Sequence, residues 1–542
     1  MPNILIPLLF LLAGPAQAAQ NPVVSPANQC TVQGVVLKAG TGEPLGRATV
    51  EIWLEGGVGQ LQDTATDSMG RFEVKNLDPG RYRLSVQHNG YVRQEYGQTK
   101  PGGSGSYLTL SPGQKVSNIT IQLIPAAVIT GHVYDENGDP VQGALVSALR
   151  PVYGNGQREL AHSGEARTND LGEYRVYGLA PGQYIVEAEK QPRFLSVLKA
   201  QPGYVPIYYP GVSDPGRAAP IAVQAGEEFS SADITLQTTQ TVKLRGHVIS
   251  GMSGGPALHA QIYLVSQGTT SHVASRSFVN DPRGAFELRD AAPGTYFLYA
   301  FLYEGGRGEL ARQPIEVAEA DLDGITLTVA PGVDIKGRLR IEGSLGSSVG
   351  SFQVSLSPKS IKLFFGGMPS DIVKPNGSFL LKNAFDDVYE ILVEGLPANY
   401  FLKSARLDGI DGLTAGVTID SKQTPGLLDI IVSPNGARID GVVSKDQQPF
   451  QGASVTLVPD PPHRAEQRLF KAATTDQLGH FVLQGIPPGD YKVFAWESID
   501  PGAYRSSEFL QPFESRGESI HISEGSLQSV QLELIPGKES GR

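Results

Sequence analysis

The sequence lacks the features that mark most functional classes. It holds a single cysteine, Cys30, so no disulfide can form within the chain. Stability therefore has to come from packed cores, which units of roughly 100 residues can supply. A leftover thiol in a secreted chain stays free or pairs between molecules. Blocks of basic residues are lacking too. The formal net charge is −11, and its acidic and basic residues are spread along the chain. Nucleic-acid binding demands clustered Lys and Arg, so that class is excluded, as is attraction to an anionic membrane surface. Beyond the N-terminus no apolar run reaches membrane-spanning length. Nor does any later stretch repeat apolar residues at the helical period with capping residues. No motif calls for a cofactor.

What is abundant is punctuation. The 542 residues include 64 glycines and 39 prolines, which suits an all-β chain with many turns. At the N-terminus, Ile4 to Ala13 are apolar but too few to cross a bilayer. Ala16-Gln17-Ala18 forms a small-x-small cleavage signature. Residues 1–18 are therefore expected to be a secretory signal peptide. The mature chain is expected to be exported, with no transmembrane segment left, in the periplasm, on the outer surface or outside the cell.

The dominant pattern is a repeat. Five times an aromatic residue is followed ten positions later by a tyrosine: Phe72/Tyr82, Tyr174/Tyr184, Phe286/Tyr296, Phe379/Tyr389 and Phe481/Tyr491. A glycine stands two residues before each first aromatic, at Gly70, Gly172, Gly284, Gly377 and Gly479. Such regular recurrence marks a repeated structural unit. It also leaves little room for a large catalytic domain.

Each copy reads as strands and turns. A short glycine-containing strand opens it, for example Gln33-Gly34-Val35-Val36 or Asp440-Gly441-Val442-Val443. Glycine within a strand marks a bulge or a close approach of another backbone. Alternating strands such as Ala48-Thr49-Val50-Glu51-Ile52 follow, with one face in a core and the other in water. Pro79-Gly80, Pro181-Gly182, Pro293-Gly294 and Pro488-Gly489 precede the tyrosine strands and suggest type II turns. Copy four has Asp386-Asp387 there and is the divergent one. The fold class is thus all-β, a tandem array of five Ig-like or prealbumin-like β-sandwich modules. After the signal peptide and a linker at 19–30, the modules are expected at 31–125, 126–238, 239–330, 331–434 and 435–537, with a tail at 538–542. Short proline-containing linkers favour a semi-rigid rod.

Copy one carries Gly34, Val35, Pro44, Ala48, Val50, Asp67, Gly70, Phe72, Leu77, Pro79, Gly80, Tyr82 and Leu84. In these residues it resembles the carboxypeptidase regulatory-like domain family. Copies two and five match nearly as well, copy three less and copy four least. The resemblance implies transthyretin-like sandwiches, found in exported bacterial proteins as accessory, adhesive or sugar-binding units. It implies no activity, because fold does not fix function.

Several motifs mimic chemistry without its full requirements. His162 and Glu165 have an H-x-x-E spacing, but zinc catalysis needs three converging ligands. Gly251-Met252-Ser253-Gly254-Gly255 spells G-x-S-x-G, yet a nucleophile elbow needs a strand before it and a helix after it. Asp135 to Asp139 imitates a calcium loop without its closing glutamate. Lys38 is the one candidate for an isopeptide crosslink, and the other copies have no equivalent. No catalytic, metal or cofactor residue is therefore assigned, and the chain is expected not to be an enzyme. Trp53 and Trp496 read as core or inter-module packing.

The candidate ligand-binding residues are loop tyrosines: Tyr204, Tyr208 and Tyr209 in copy two, and Tyr96 and Tyr107, with Tyr91 nearby, in copy one. Exposed aromatic faces stack on sugar rings and often mark binding surfaces. The functional expectation is a non-enzymatic binding protein of the cell envelope, most concretely for a glycan. The alternative is a structural, scaffolding or adhesion protein whose partners are envelope proteins, engaged for instance by sheet-edge pairing.

Overall fold

The computed structural model describes residues 28–55, 61–154, 156–190, 203–239, 241–267, 273–343, 352–360 and 367–537. The expected leader, residues 1–18, lies outside them. The described chain is built of strands, and its hydrophobic residues gather in successive sandwich cores.

The first module shows the plan. One sheet has the order Arg71–Leu77, Cys30–Lys38, Lys115–Leu123. The opening strand Cys30–Lys38 runs antiparallel to the aromatic strand and parallel to the closing one. The facing sheet has the order Leu61–Ala65, Thr49–Leu54, Gly80–Gln87, Gln94–Glu95, with Leu108–Leu110 also on Gly80–Gln87. Alternate residues of both sheets, among them Val50, Ile52, Phe72, Val74, Tyr82, Leu84, Ile119 and Ile121, fill the space between.

The glycine of each opening strand lies across from the repeat's first aromatic. The pairs are Gly34 and Phe72, Gly131 and Tyr174, Gly246 and Phe286, Gly337 and Phe379, and Gly441 and Phe481. All five aromatics are buried. The expected close approach is therefore present, and it comes mainly from a ring and the closing-strand backbone.

The polar turn before the aromatic strand is equally specified. Asp67 Oδ1 accepts from the backbone N–H groups of Met69 and Arg71 at 2.9 and 2.8 Å. Asn169 and Asp476 make the same pair of bonds in modules two and five. These bonds, chiefly the one from Arg71, hold the Asp67 carboxyl below its ordinary pKa. The chain then passes through a left-handed glycine, with φ of 71° at Gly70 and 73° at Gly479, a region other residues avoid. A buried threonine locks the turn from within. Thr66 Oγ1 donates to the Leu45 carbonyl and accepts from the Ala48 N–H. Thr168 and Thr475 repeat this in modules two and five.

The second aromatic has its own bond. The hydroxyls of Tyr82, Tyr184, Tyr389 and Tyr491 donate to the carbonyls of Asp78, Ala180, Phe385 and Pro487, four residues upstream, at 2.7–3.0 Å. This is the logic of a tyrosine corner, with the phenol pinning the entry of its own strand. Burial pushes the Tyr389 phenol up to about 12. Module four thus keeps the corner without Pro-Gly.

Two expectations are corrected. The Pro-Gly glycines do not adopt type II geometry. Gly80 has φ 158° and already opens the strand Gly80–Gln87, so the reversal is carried by Asp78 and Pro79. In module two the opening strand Ala127–Tyr134 is paired in parallel by two short strands, Glu228–Phe229 and Ile234–Thr235, and Ser231 between them has a positive φ of 69°. Finally, helical turns occur where none was expected. Ala503–Arg505, Ser507–Leu510 and Gln511–Arg516 form an insert in module five, capped at Ser506, whose hydroxyl accepts from the Phe509 N–H. One four-residue α-turn is too short for a periodic signal.

Module three departs in a different way. Its long hairpin, Gly294–Glu304 and Arg307–Val317, pairs onward with Leu322–Pro331, so its two sheets join into one of seven strands.

Candidate functional site

The loop tyrosines are placed as follows. Tyr208 is 3% exposed, in the short strand Ile207–Tyr208 against Gly182–Glu189. Tyr204 and Tyr209 are half-buried against the module-two core, with the Tyr209 ring 6.5 Å from that of Phe229 and edge-on. Burial pushes the Tyr204 phenol up. Tyr107 lies beneath two guanidinium groups, Arg81 at 4.1 Å and Arg83 at 4.6 Å from the ring centroid. Tyr96 is half-buried, its phenol also pushed up by burial, and its side chain meets Gln451 of module five. The five therefore do not converge on one aromatic platform. They belong to two modules, and each is engaged by protein.

The Tyr96 contact opens onto a larger surface that the sequence did not announce. The loop after the module-one tyrosine strand rests on module five. Lys100 Nζ is 2.8 Å from Asp500, and Thr99 Oγ1 donates to the Glu497 carbonyl at 3.1 Å. Gln477 bridges to Thr109 through both its amide atoms, at 3.4 and 3.2 Å. Gly97 and Gly452 are packed backbone to backbone. Module two joins the same contact. Tyr153, on the long strand Leu145–Gly154, places its ring edge-on to Phe509, centroids 5.9 Å apart. The array therefore folds back so that its last module touches its first two, in place of the expected rod.

Module five is equipped for this by its insert. Val458, Phe470, Phe494, Trp496, Ile499, Ala503 and Leu510 form a second small core outside the sandwich, with Tyr153, Tyr504, Phe509 and Phe513 at its edge. Trp496 is buried here, stacked on Phe494 at 5.5 Å, and its Nε1 donates to Thr456 Oγ1 at 3.0 Å. Expected as packing, it is the centre of the insert's anchorage. Trp53, on Thr49–Leu54, is only half-buried. Glu514 ties the insert to the body through Arg464 at 2.6 Å and Lys492 at 3.3 Å, and these cations hold its carboxyl low. The signal for this element was the run of aromatics at 494, 496, 504, 509 and 513.

The motifs that mimicked chemistry resolve into structure. His162 and Glu165 are exposed on the edge strand Gln157–Arg167. Residues 251–255 form a turn after Val242–Ser250, with no helix following. The Asp135 carboxylate is used within its own turn, accepting from Asn137 and Asp139 N–H at 2.9 Å each. Lys38 faces Glu43 at 3.8 Å on the surface. Among the described residues no group of three His, Cys, Asp or Glu side chains is placed to hold a metal. Among the same residues no helix is long and apolar enough to cross a membrane.

The repeated glycine–aromatic register meets its counterpart in comparison with known families. Residues 31–124 and 128–237 match the carboxypeptidase regulatory-like domain family. Modules one and two are thus similar to carboxypeptidase regulatory-like domains. Modules three, four and five share with those domains the glycine–aromatic register and the parallel pairing of opening and closing strands.

No curated protein matches the chain. Solved structures with partial similarity include the Bacillus anthracis TIE protein, 16% identical, covering 56% of this chain and 51% of that one, with a TM-score of 0.17. A streptococcal ancillary pilin is 10% identical over 56% of this chain and 99% of its own, TM-score 0.20. The minor pilin GBS52 of Streptococcus agalactiae is 13% identical over 39% and 96%, TM-score 0.23. The chain spans about half the length of the Bacillus anthracis protein. Overlaps this loose carry no inference about activity.

Proposed function

We propose that this chain is an exported structural protein of the cell envelope, whose regulatory-like sandwiches bind other proteins through their loops and sheet edges. The observation that carries this reading is the use of the loops themselves. At one end of a sandwich the loops are the usual place for binding residues, held by a rigid scaffold. Here the loop holding Tyr96, Thr99 and Lys100 grips another sandwich, and the Leu145–Gly154 strand end presents Tyr153 to an aromatic insert. Sandwich-to-sandwich contact is what these surfaces are built to make. Export rests on the leader-like first 18 residues.

Glycan binding is the competing outcome, and Tyr204 and Tyr209 are its best-placed residues because both keep part of their rings at the surface. A glycan array with the secreted protein and a Tyr204→Ala/Tyr209→Ala variant decides between them. The structural reading expects no selective glycan binding by either protein. Selective binding that the double variant loses would overturn it in favour of a lectin-like role.

A further inference from the structure

The contact between module five and modules one and two has an unusual character. Its halves lie 400 residues apart in sequence. Most of its bonds are polar: Lys100 to Asp500 and Thr99 to Glu497 are exposed, and Gln477 to Thr109 is part-buried. Lys100 and Asp500 keep 27% and 52% of their side-chain surface in water, so their attraction is screened and weak. Beside them Tyr153 seats its ring against Phe509 at the edge of the module-five second core, and Gly97 packs on Gly452. Trp496, Phe494, Leu510 and the Glu514 ion pairs anchor the insert within module five, with Tyr153 of module two only at the edge of its core. Both halves therefore stay folded when they part.

The two surfaces are also different patches, one at each end of the chain. A contact between unlike patches is heterologous, and the same patches can be satisfied within one molecule or between neighbours. Which occurs is a matter of effective concentration. The tether favours closure in dilute solution, and crowding favours exchange.

We propose that module five, through Gln477, Glu497 and Asp500 of its body and Phe509 of its insert, is an exchangeable clasp: it closes onto the junction of modules one and two of its own chain when dilute, and onto that junction of a second copy when concentrated. Exchange replaces each bond with an identical one, so it costs little beyond the entropy of association. Repeated along copies, it joins the protein head to tail.

The test uses full-length protein with Cys30→Ser, so that only introduced thiols can pair. A chain carrying both Lys100→Cys and Asp500→Cys reports closure by an intrachain disulfide. Two chains carrying one substitution each, mixed before mild oxidation, report exchange, since their disulfide can form only between copies. Thr109→Cys with Gln477→Cys gives a second pair, scored in the same two ways, so a poor thiol geometry at one site is not decisive. Peptide mass spectrometry identifies the links. The expected result is an intrachain link in dilute double variants, and a between-copy link in the mixtures that rises with protein concentration. Tyr153→Ala should lower both several-fold. An intrachain link with no between-copy link at any concentration overturns exchange. No link of either kind at both pairs overturns the clasp.

Discussion

Gly34 stands directly across from Phe72 on antiparallel strands, and a Cβ on Gly34 would come within 2.7 Å of the Phe72 ring. The ring covers the glycine because no side chain opposes it. The same pairing in all five modules makes the glycine and the aromatic a single unit, separated by 38 positions in module one but in contact in space.

Gly34→Ala should therefore destabilise module one although alanine is small. Overpacking of this kind costs about 1–3 kcal/mol. Hydrogen exchange at Cys30–Lys38 in the full chain is the suitable readout, because several modules need not unfold as one two-state unit. Gly255→Ala is the control, since the nearest atom to its Cβ is Ser253 Oγ at 3.6 Å. Equal protection in both variants would refute the steric account.

The turn threonine offers a sharper chemical comparison. Thr475 is fully buried, donating to the Phe450 carbonyl at 2.8 Å and accepting from the Ala453 N–H at 2.9 Å. Thr475→Val keeps the volume and strands both backbone groups, at about 1–3 kcal/mol. Thr475→Ser keeps the hydroxyl and loses one methyl, at about 1 kcal/mol. Chemical denaturation should rank valine as the more damaging. The reverse order would mean that the methyl matters more than the hydroxyl.

The joint between modules four and five should depend on pH. Lys403 of module four is 2.6 Å from Glu342 and 2.9 Å from Glu524 of module five. The Lys403 ammonium, and then the Ser433 hydroxyl, hold the Glu524 carboxyl below its ordinary 4.5. The two carboxylates, Glu342 first, hold Lys403 above 10.5. A depressed carboxylate contributes fully above its unfolded pKa and loses its contribution as pH falls through the lower folded value. A raised lysine contributes fully below its unfolded pKa and loses its contribution as pH rises through the higher folded value. The joint should thus be firm across the neutral range and loosen in acid. Exchange protection of the Gly436 amide, which bonds across the joint to the Asn399 carbonyl, should hold at neutral pH and fall as pH drops below the ordinary 4.5 of Glu524. Protection unchanged after correction for the intrinsic rate would exclude the ion pairs as its source.

Much of the sandwich was legible because its determinants are local. The aromatic–tyrosine spacing encodes one strand, one turn and the next strand, and Phe72, Val74, Tyr82 and Leu84 are buried as alternation predicts. The opening-strand glycines announced a close approach, but the ring that makes it lies too far along the chain for spacing alone to identify. The loop tyrosines illustrate the limit. Tyr208 and Tyr209 are adjacent, yet one is enclosed and the other half-buried, because a two-residue strand decides their orientation. The folding back of the array was illegible for a similar reason. Lys100 and Asp500 carry no pattern linking them, and neither do Thr109 and Gln477 or Tyr153 and Phe509.

The parallel pairing of opening and closing strands bears on how the protein withstands tension. In module one the ladder runs from Thr31 and Lys115 to Lys38 and Leu123, so the chain enters at one end of the sheet and leaves at the other. Modules three, four and five are wired in the same sense. A pull on the two termini of such a unit acts along the strands, and the rungs between them resist together instead of parting one by one. Each bead is thereby oriented to bear load along the axis on which its neighbours would pull.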